Sequence, residues 1–162
     1  MHYIEEAGKM TASGSIPVGP GQGRSFAVGL DALTIKGMSE TDAFSFIEYR
    51  AAAGVPGPPM HVHHANEEAF YILDGQVDFT LNGITSRLEP GSFVLVPRDA
   101  AHTFANVGTG PARWVGVFAP GRYLGLVEGL GAVIPPDGPP DFAAVAEVFA
   151  RYDSEIIDTA AQ

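Results

Sequence analysis

Four of the five histidines in this chain, His61, His63, His64 and His102, fall between residues 61 and 102, and only His2 lies elsewhere. Imidazoles gathered among β-prone residues need a chemical reason. His61 and His63 are two apart, so on an extended strand both rings leave one face, Val62 leaves the other, and both rings can reach one ion. Glu68 opens the β-prone run EAFYIL and His102 opens HTFANV, each adding a donor from the start of its own element. Three neutral imidazoles and a carboxylate suit a divalent first-row metal with bonds near ~2 Å, the carboxylate offsetting part of the charge. On an octahedral ion four protein ligands leave two positions for water, dioxygen or a substrate with two oxygen donors. A catalytic site needs such openings and a closed structural tetrahedron lacks them. The chain has no cysteine, which excludes disulfides and thiolate ligation. Ligand type does not choose among Fe, Ni, Mn, Co and Zn, so the expected cofactor is one divalent transition metal ion.

Positioning these donors requires short strands. From Leu30 to about Phe118 the sequence is a succession of β-prone segments (LTIK, AFSFIEYR, PMHVHH, EEAFYILD, QVDFTL, ITSRLE, SFVLVP, AHTFANV, ARWVGVF) separated by Gly, Pro, Asn and Asp turns, the pattern of an antiparallel sandwich or barrel. Asp74-Gly75 and Asn82-Gly83 read as hairpin turns because both pairs accept positive φ. After Phe118 an apolar helical pattern runs over Arg122 to Leu130, weakened by Gly125 and Gly129 at about 1 kcal/mol each relative to Ala. A Pro-rich link, IPPDGPP, leads to Asp141 to Tyr152, where Phe142, Val145, Val148, Phe149 and Tyr152 form one face of an amphipathic helix. Residues 1–25 are Gly- and Pro-rich without periodicity. The expected organisation is a flexible arm over 1–25, an all-β barrel over 26–119 and a helical tail over 120–162 packed on the barrel, with no internal repeat.

A chain of 162 residues can bury one core as a single domain. Its formal charge of −10, with the basic residues scattered singly, repels phosphate backbones, so nucleic acid is not an expected partner. No apolar run approaches the ~20 residues of a membrane span. The opening MHYIEEAGKM lacks the basic and apolar regions of a secretory signal, so a cytoplasmic location is expected.

At the histidine cluster the sequence resembles the cupin superfamily. HVHHANEEAFYILDG reproduces the spacing of its first motif, with His61, His63, Glu68 and Gly75 in place and Val55, flanked by Gly54 and Gly57, where the motif's leading Gly belongs. GSFVLVPRDAAHTFAN reproduces the second through Gly91, Pro97, His102 and Asn106, with Asp99 replacing a Gly; Asp tolerates a left-handed turn. Glu67 competes with Glu68 for the carboxylate position, and the six residues between Glu68 and Gly75 favour Glu68. His64 is off the inward parity and reads as a surface or supporting residue. The resemblance implies a double-stranded β-helix, or jelly-roll, barrel holding its metal on His61, His63, Glu68 and His102. Beyond the motifs, over about residues 30–160, the chain resembles bacterial single-domain cupins described as quercetin (flavonol) dioxygenase-like.

Parity from Glu68 and His102 sends Phe70, Ile72 and Phe104 inward, as walls of a substrate pocket or as barrel filling, with Met60 and Phe46 in either class. Glu48 reads as a strand-end charge. The implied function is a metal-dependent enzyme acting on a small organic molecule, first a dioxygenase-type oxidoreductase. The alternatives are a non-redox isomerase, cyclase or lyase using the ion as a Lewis acid, or a binding cupin without turnover. Cupins are commonly dimers, so a homodimer is expected.

Overall fold

The computed structural model describes residues 17–157, so His2 and the first part of the expected arm lie outside the described residues, as does the stretch on which the expected cytoplasmic location rests. Among the described residues there are eleven strands: β1 Arg24–Val28, β2 Asp31–Met38, β3 Ser45–Ala51, β4 His61–His63, β5 Glu67–Asp74, β6 Val77–Leu81, β7 Ile84–Leu88, β8 Phe93–Val96, β9 His102–Ala105, β10 Ala112–Ala119 and β11 Ser154–Ile156. They form a six-stranded sheet of order β1-β2-β3-β10-β5-β8 and a five-stranded sheet of order β11-β4-β9-β6-β7, with every pairing antiparallel. This is the jelly-roll barrel that the resemblance implies.

Period-two burial explains why these residues become strands. In β10 Ala112, Trp114, Gly116 and Phe118 alternate inward, and in β3 Ser45, Ile47, Tyr49 and Ala51 do the same. Trp114 stacks on Tyr49 at 4.3 Å between ring centroids, anchoring the pair β3–β10 at its middle.

Three features differ from the sequence expectations. Asn82 and Gly83 both take positive φ and close the β6–β7 hairpin, but Asp74-Gly75 does not make a hairpin. There β5 ends in one sheet and β6 begins in the other, so the turn is a corner between layers. Gly75 has φ 77° and approaches Ala112 so closely that a Cβ would stand 2.7 Å from its Cα. The local backbone demand of a corner is the same as that of a hairpin, and the two are distinguished only by what the next strand pairs with. Secondly, β1 starts at Arg24, inside the stretch read as an arm, where Arg24 and Ser25 pair with Ile35 and Thr34. Thirdly, the tail does more than pack on the outside.

After a 3-10 turn at Gly121–Tyr123, α1 (Leu124–Val133) runs three residues beyond the expected end, and α2 (Phe142–Arg151) follows. The Asp141 carboxylate caps α2 by accepting from the Ala143 and Ala144 amides. The glycines that weaken α1 as an isolated helix permit its packing: a Cβ at Gly125 would lie 2.2 Å from the Tyr152 hydroxyl, and one at Gly129 2.9 Å from Val148 Cγ1. Leu126, Leu130, Val145, Val148 and Phe149 form a shared core between the helices, while Phe142, expected on that face, is 66% exposed. Beyond α2 the chain enters the five-stranded sheet as β11, pairing Ser154 with His63 and Ile156 with His61. No helix among the described residues is long and apolar enough to cross a membrane.

Candidate metal centre

Strand β4 is three residues long and buried throughout, because the sheet interior covers His61 and His63 on one face and neighbouring structure covers Val62 on the other. His61 lies opposite His102 in the β4–β9 pairing. The turn before β9 carries Asp99 at φ 62°, and the Asp99 amide donates to the His63 carbonyl at 2.8 Å, fixing β9's approach to β4. In β5 Glu68 is buried and Glu67 exposed. Gly57 holds the loop before β4 against β9, since a Cβ there would stand 1.6 Å from the Phe104 carbonyl oxygen. That close approach, next to the position where Val55 replaces the motif's glycine, makes a side chain at 57 sterically impossible without displacing β9.

The rings of His61, His63 and His102 converge, with centroids 4.1 Å apart for His61–His102, 4.8 Å for His61–His63 and 5.2 Å for His63–His102. One nitrogen from each lies within 4.8 Å of the others, so the three histidines are positioned to hold a metal ion. Glu68 joins them: Oε1 is 3.0 Å from His63 Nε2 and Oε2 is 3.4 Å from His102 Nε2. Donors sharing an ion with bonds of ~2.1 Å stand about 3–3.5 Å apart at octahedral or tetrahedral angles.

Hydrogen bonds on the far side of each ring determine what the near side offers. His61 Nδ1 lies 2.7 Å from the Pro59 carbonyl oxygen and His102 Nδ1 3.0 Å from that of Ala100; a carbonyl only accepts, so both Nδ1 atoms carry the proton. His63 Nδ1 is 2.7 Å from Ser154 Oγ, which spends its one proton on the Tyr152 carbonyl and so accepts from His63. With the rings neutral, all three Nε2 atoms present lone pairs toward one another and toward a carboxylate. That arrangement is repulsive unless a cation lies among them. Fully buried His102 Nε2 has no hydrogen-bond partner among the described residues, and a polar atom left so costs roughly 1–3 kcal/mol. The donor set fits a divalent metal, which satisfies the orphaned nitrogen and the lone-pair contacts together.

The electrostatics favour deprotonated ligands. Burial, with His102 and His63 beside it, lowers His61 from its ordinary 6.5 to about 3. Burial alone would push the Glu68 carboxyl up, but wherever the His102 and His63 rings carry a proton toward it they outweigh burial and hold it below the usual carboxylate range. A neutral imidazole and an ionised carboxylate are the forms that ligate.

The centre opens on a cavity of about 550 Å³, within the size range of small-molecule sites. His61, His63 and Glu68 lie on its wall, as do Phe70 and Phe104. The other three residues named for the pocket lie off its wall. Ile72 is buried as barrel filling away from the cavity. Phe46 sits on the outer face of β3, beside Lys36 and Glu48, because Ser45, Ile47 and Tyr49 take the inward parity. Met60, between Pro59 and His61, is off the cavity wall and contributes a backbone carbonyl to Ile157. Glu48 pairs with Lys36 at 3.6 Å on the outer face, and His64 meets Asp99 at 2.5 Å on the surface.

Much of the lining comes from outside the barrel. Leu126, Val127, Leu130, Val145 and Phe149 of the two helices close one side of the cavity. Phe149 also packs on the ligand rings, 5.1 Å from His61 and parallel to His63 at 6.2 Å, and Asn66 donates to Glu68 Oε1 at 3.4 Å. Ser154 and Phe149 escape sequence reasoning because they stand some ninety residues downstream of the ligands they support and carry no motif.

Comparison with known proteins agrees with this geometry. A family model described as a cupin domain matches residues 48–118. The chain is 32% identical over 71 residues to quercetin 2,3-dioxygenase of Bacillus subtilis, covering 44% of this chain and 21% of that protein. It is 35% identical over 71 residues to the polyketide synthase CurC of Streptomyces cyaneus, covering 42% of this chain and 46% of that one. The matches thus span half or less of these curated relatives. Among solved structures, an RmlC-like cupin from Shewanella frigidimarina superposes with a TM-score of 0.57 at 19% identity, over 67% of this chain and 94% of that one, a likeness of fold. The strand order and the converging histidines on β4 and β9 give this chain a cupin-like jelly-roll fold, and its residues 48–118 are similar to the cupin domain.

Proposed function

We propose that this protein is a metal-dependent cupin enzyme acting on a small, largely apolar organic molecule with oxygen donors, and that it is an oxidoreductase of dioxygenase type. The observation that carries the reading is the convergence of the His61, His63 and His102 Nε2 atoms with the Glu68 carboxylate, with His61, His63 and Glu68 on the wall of an apolar cavity. His61, His63, His102 and Glu68 would hold the ion. When bound, a divalent metal supplies Lewis acidity toward substrate oxygens and, if redox-active, electron transfer to dioxygen. The protein's own part is to keep the three rings in one tautomer through Pro59, Ser154 and Ala100, to keep water off the reacting face through Phe70, Phe104 and Phe149, and to hold the ligand in a cavity shaped by the helical tail. Similarity to the Bacillus dioxygenase supports the redox choice.

Similarity to a Streptomyces polyketide synthase supports a second reading, in which the same ion stabilises an enolate during cyclisation, isomerisation or lyase chemistry. Protein loaded separately with Fe(II), Ni(II), Mn(II), Co(II) or Zn(II) and given flavonols and catechols in an oxygen electrode separates the two. Dioxygen uptake coupled to substrate loss supports the dioxygenase, conversion without uptake supports the second reading, and recovery of unchanged substrate from every metal form overturns both.

We also propose a homodimer. Tyr71, Phe93 and Leu95 form an exposed apolar face on β5 and β8, and β8 is the edge strand of its sheet, an arrangement that a second copy would cover. Light scattering of the wild type against Leu95→Lys tests it: a dimer that the substitution splits is expected, and a wild-type monomer overturns it.

A further inference from the structure

Among the described residues lining the cavity, two ionisable side chains stand apart from the metal cluster, Asp31 and Tyr49. Both are buried, in a wall that is otherwise almost entirely apolar, and they are bonded to each other: the Tyr49 hydroxyl donates to Asp31 Oδ2 at 2.7 Å, and the Ala52 amide donates to Oδ1 at 2.8 Å. Burial pushes the Asp31 carboxyl up, against the pull of those two donors. Each Asp31 oxygen keeps a further lone pair after these bonds, and so does the Tyr49 oxygen. The remaining capacity of the pair is therefore to accept.

The register places this pair well away from the metal ligands. Tyr49 lies opposite Trp114 on β10, and Glu68 lies opposite Phe118 on the same strand. Those rungs are four residues apart, about 13 Å along the strand. Phe104, 5.7 Å from Tyr49 and 6.0 Å from Phe70 between centroids, paves part of the space between with aromatic surface. Leu30, next to Asp31 on the lining and 62% exposed, marks where the cavity meets solvent.

We propose that Asp31 and Tyr49 form the second pole of the site, accepting a hydrogen bond from a hydroxyl at the far end of a ligand whose near end is held at the His61–His63–His102 centre. The ligand class that follows is a rod of two or three aromatic or fused rings with oxygen functions at both ends. This rests on the metal-centre reading, which supplies the first anchor. A buried Asp–Tyr pair is also a good structural clasp between β2 and β3, so the test must move something that a clasp does not.

The probes are 3,4-dihydroxybiphenyl, its 4′-hydroxy derivative and its 4′-methoxy derivative, titrated calorimetrically into Zn(II)-loaded and metal-stripped full-length protein. Zn(II) keeps the catechol from turning over, so binding alone is read. The 4′-hydroxy compound is expected to bind the loaded protein at least about tenfold more tightly than the other two, as a hydrogen bond to a charged or strongly polar buried acceptor provides. In Asp31→Asn that preference is expected to fall to within about twofold while affinity for the parent biphenyl holds. If Asp31→Asn does not fold, Tyr49→Phe serves. It keeps the ring on Trp114 and removes the hydroxyl from the pair, and the preference is again expected to fall. Equal binding of the three probes by the wild type, or an undiminished preference in the folded variant, overturns the second pole and leaves the metal reading standing. Binding indifferent to Zn(II) overturns the metal reading, and the second pole with it.

Discussion

Ser154→Ala removes no metal ligand, yet it should weaken the metal site more than any other substitution outside the four donors. Ser154 Oγ is the acceptor for His63 Nδ1–H at 2.7 Å, in a position where both residues are buried and water cannot take its place. An unsatisfied buried N–H costs about 1–3 kcal/mol, and loss of the outer partner of a metal-ligating histidine typically costs 10–100-fold in affinity. The two figures agree, since ~1.4 kcal/mol is tenfold. The structure also shows how the loss would arise. With Ser154 gone, His63 can move its proton to Nε2 and donate it to Glu68 Oε1, 3.0 Å away, so that metal must displace an internal hydrogen bond formed by two of its own ligands. The assay is competition for Zn(II) against a chelator of known affinity, with circular dichroism to show that β11 is still in place. The dissociation constant should rise 10–100-fold in Ser154→Ala and return most of the way in Ser154→Thr, which restores a hydroxyl. A folded Ser154→Ala protein with wild-type affinity would refute the claim that tautomer control from β11 governs the centre.

Glu68→Gln should weaken metal binding strongly, by tenfold or more in a chelator competition, while Glu67→Gln on the solvent side of β5 should leave it within about twofold. Gly57→Ala should lower the melting temperature and reduce metal uptake together, since a Cβ 1.6 Å from the Phe104 carbonyl forces β9, and His102 with it, away from β4. In metal-stripped protein His61 titrates near 3 when folded and near 6.5 when unfolded, so below 6.5 the unfolded state binds the extra proton. Stability is therefore complete above about pH 6.5 and is lost as pH falls toward 3, which urea unfolding at pH 7.5, 5.5 and 4.5 reads directly. Phe104→Ala should retain metal while changing which aromatic ligands bind, measured by the same calorimetry as the biphenyl series.

Local constraints were legible from the chain alone. The two-residue spacing of His61 and His63, the positive-φ pair Asn82-Gly83 and the amphipathic period of α2 each depend on neighbours within one element, where backbone geometry ties side-chain direction to sequence position. Parity with Glu68 and His102 put Phe70 and Phe104 on the inward face for the same reason, whereas the place of Phe46 was left open by the chain alone and is set by which face of β3 Ile47 and Tyr49 bury. Whether Asp74-Gly75 is a hairpin or a corner was undetermined locally, because both need the same backbone and the difference lies in β6 pairing with β9 across the barrel. The same limit hid the role of the tail. A serine after an amphipathic helix has no spacing to the histidine it supports, and only long-range pairing of β11 with β4 brings Ser154 to His63 and sets Phe149 over the ligand rings. The candidate donors were a matter of residue type and short spacing; the hydrogen bonds behind their rings, the cavity's closed side and the Asp31–Tyr49 pair came from contacts between elements distant in the chain, which burial and the packing of the whole barrel decide.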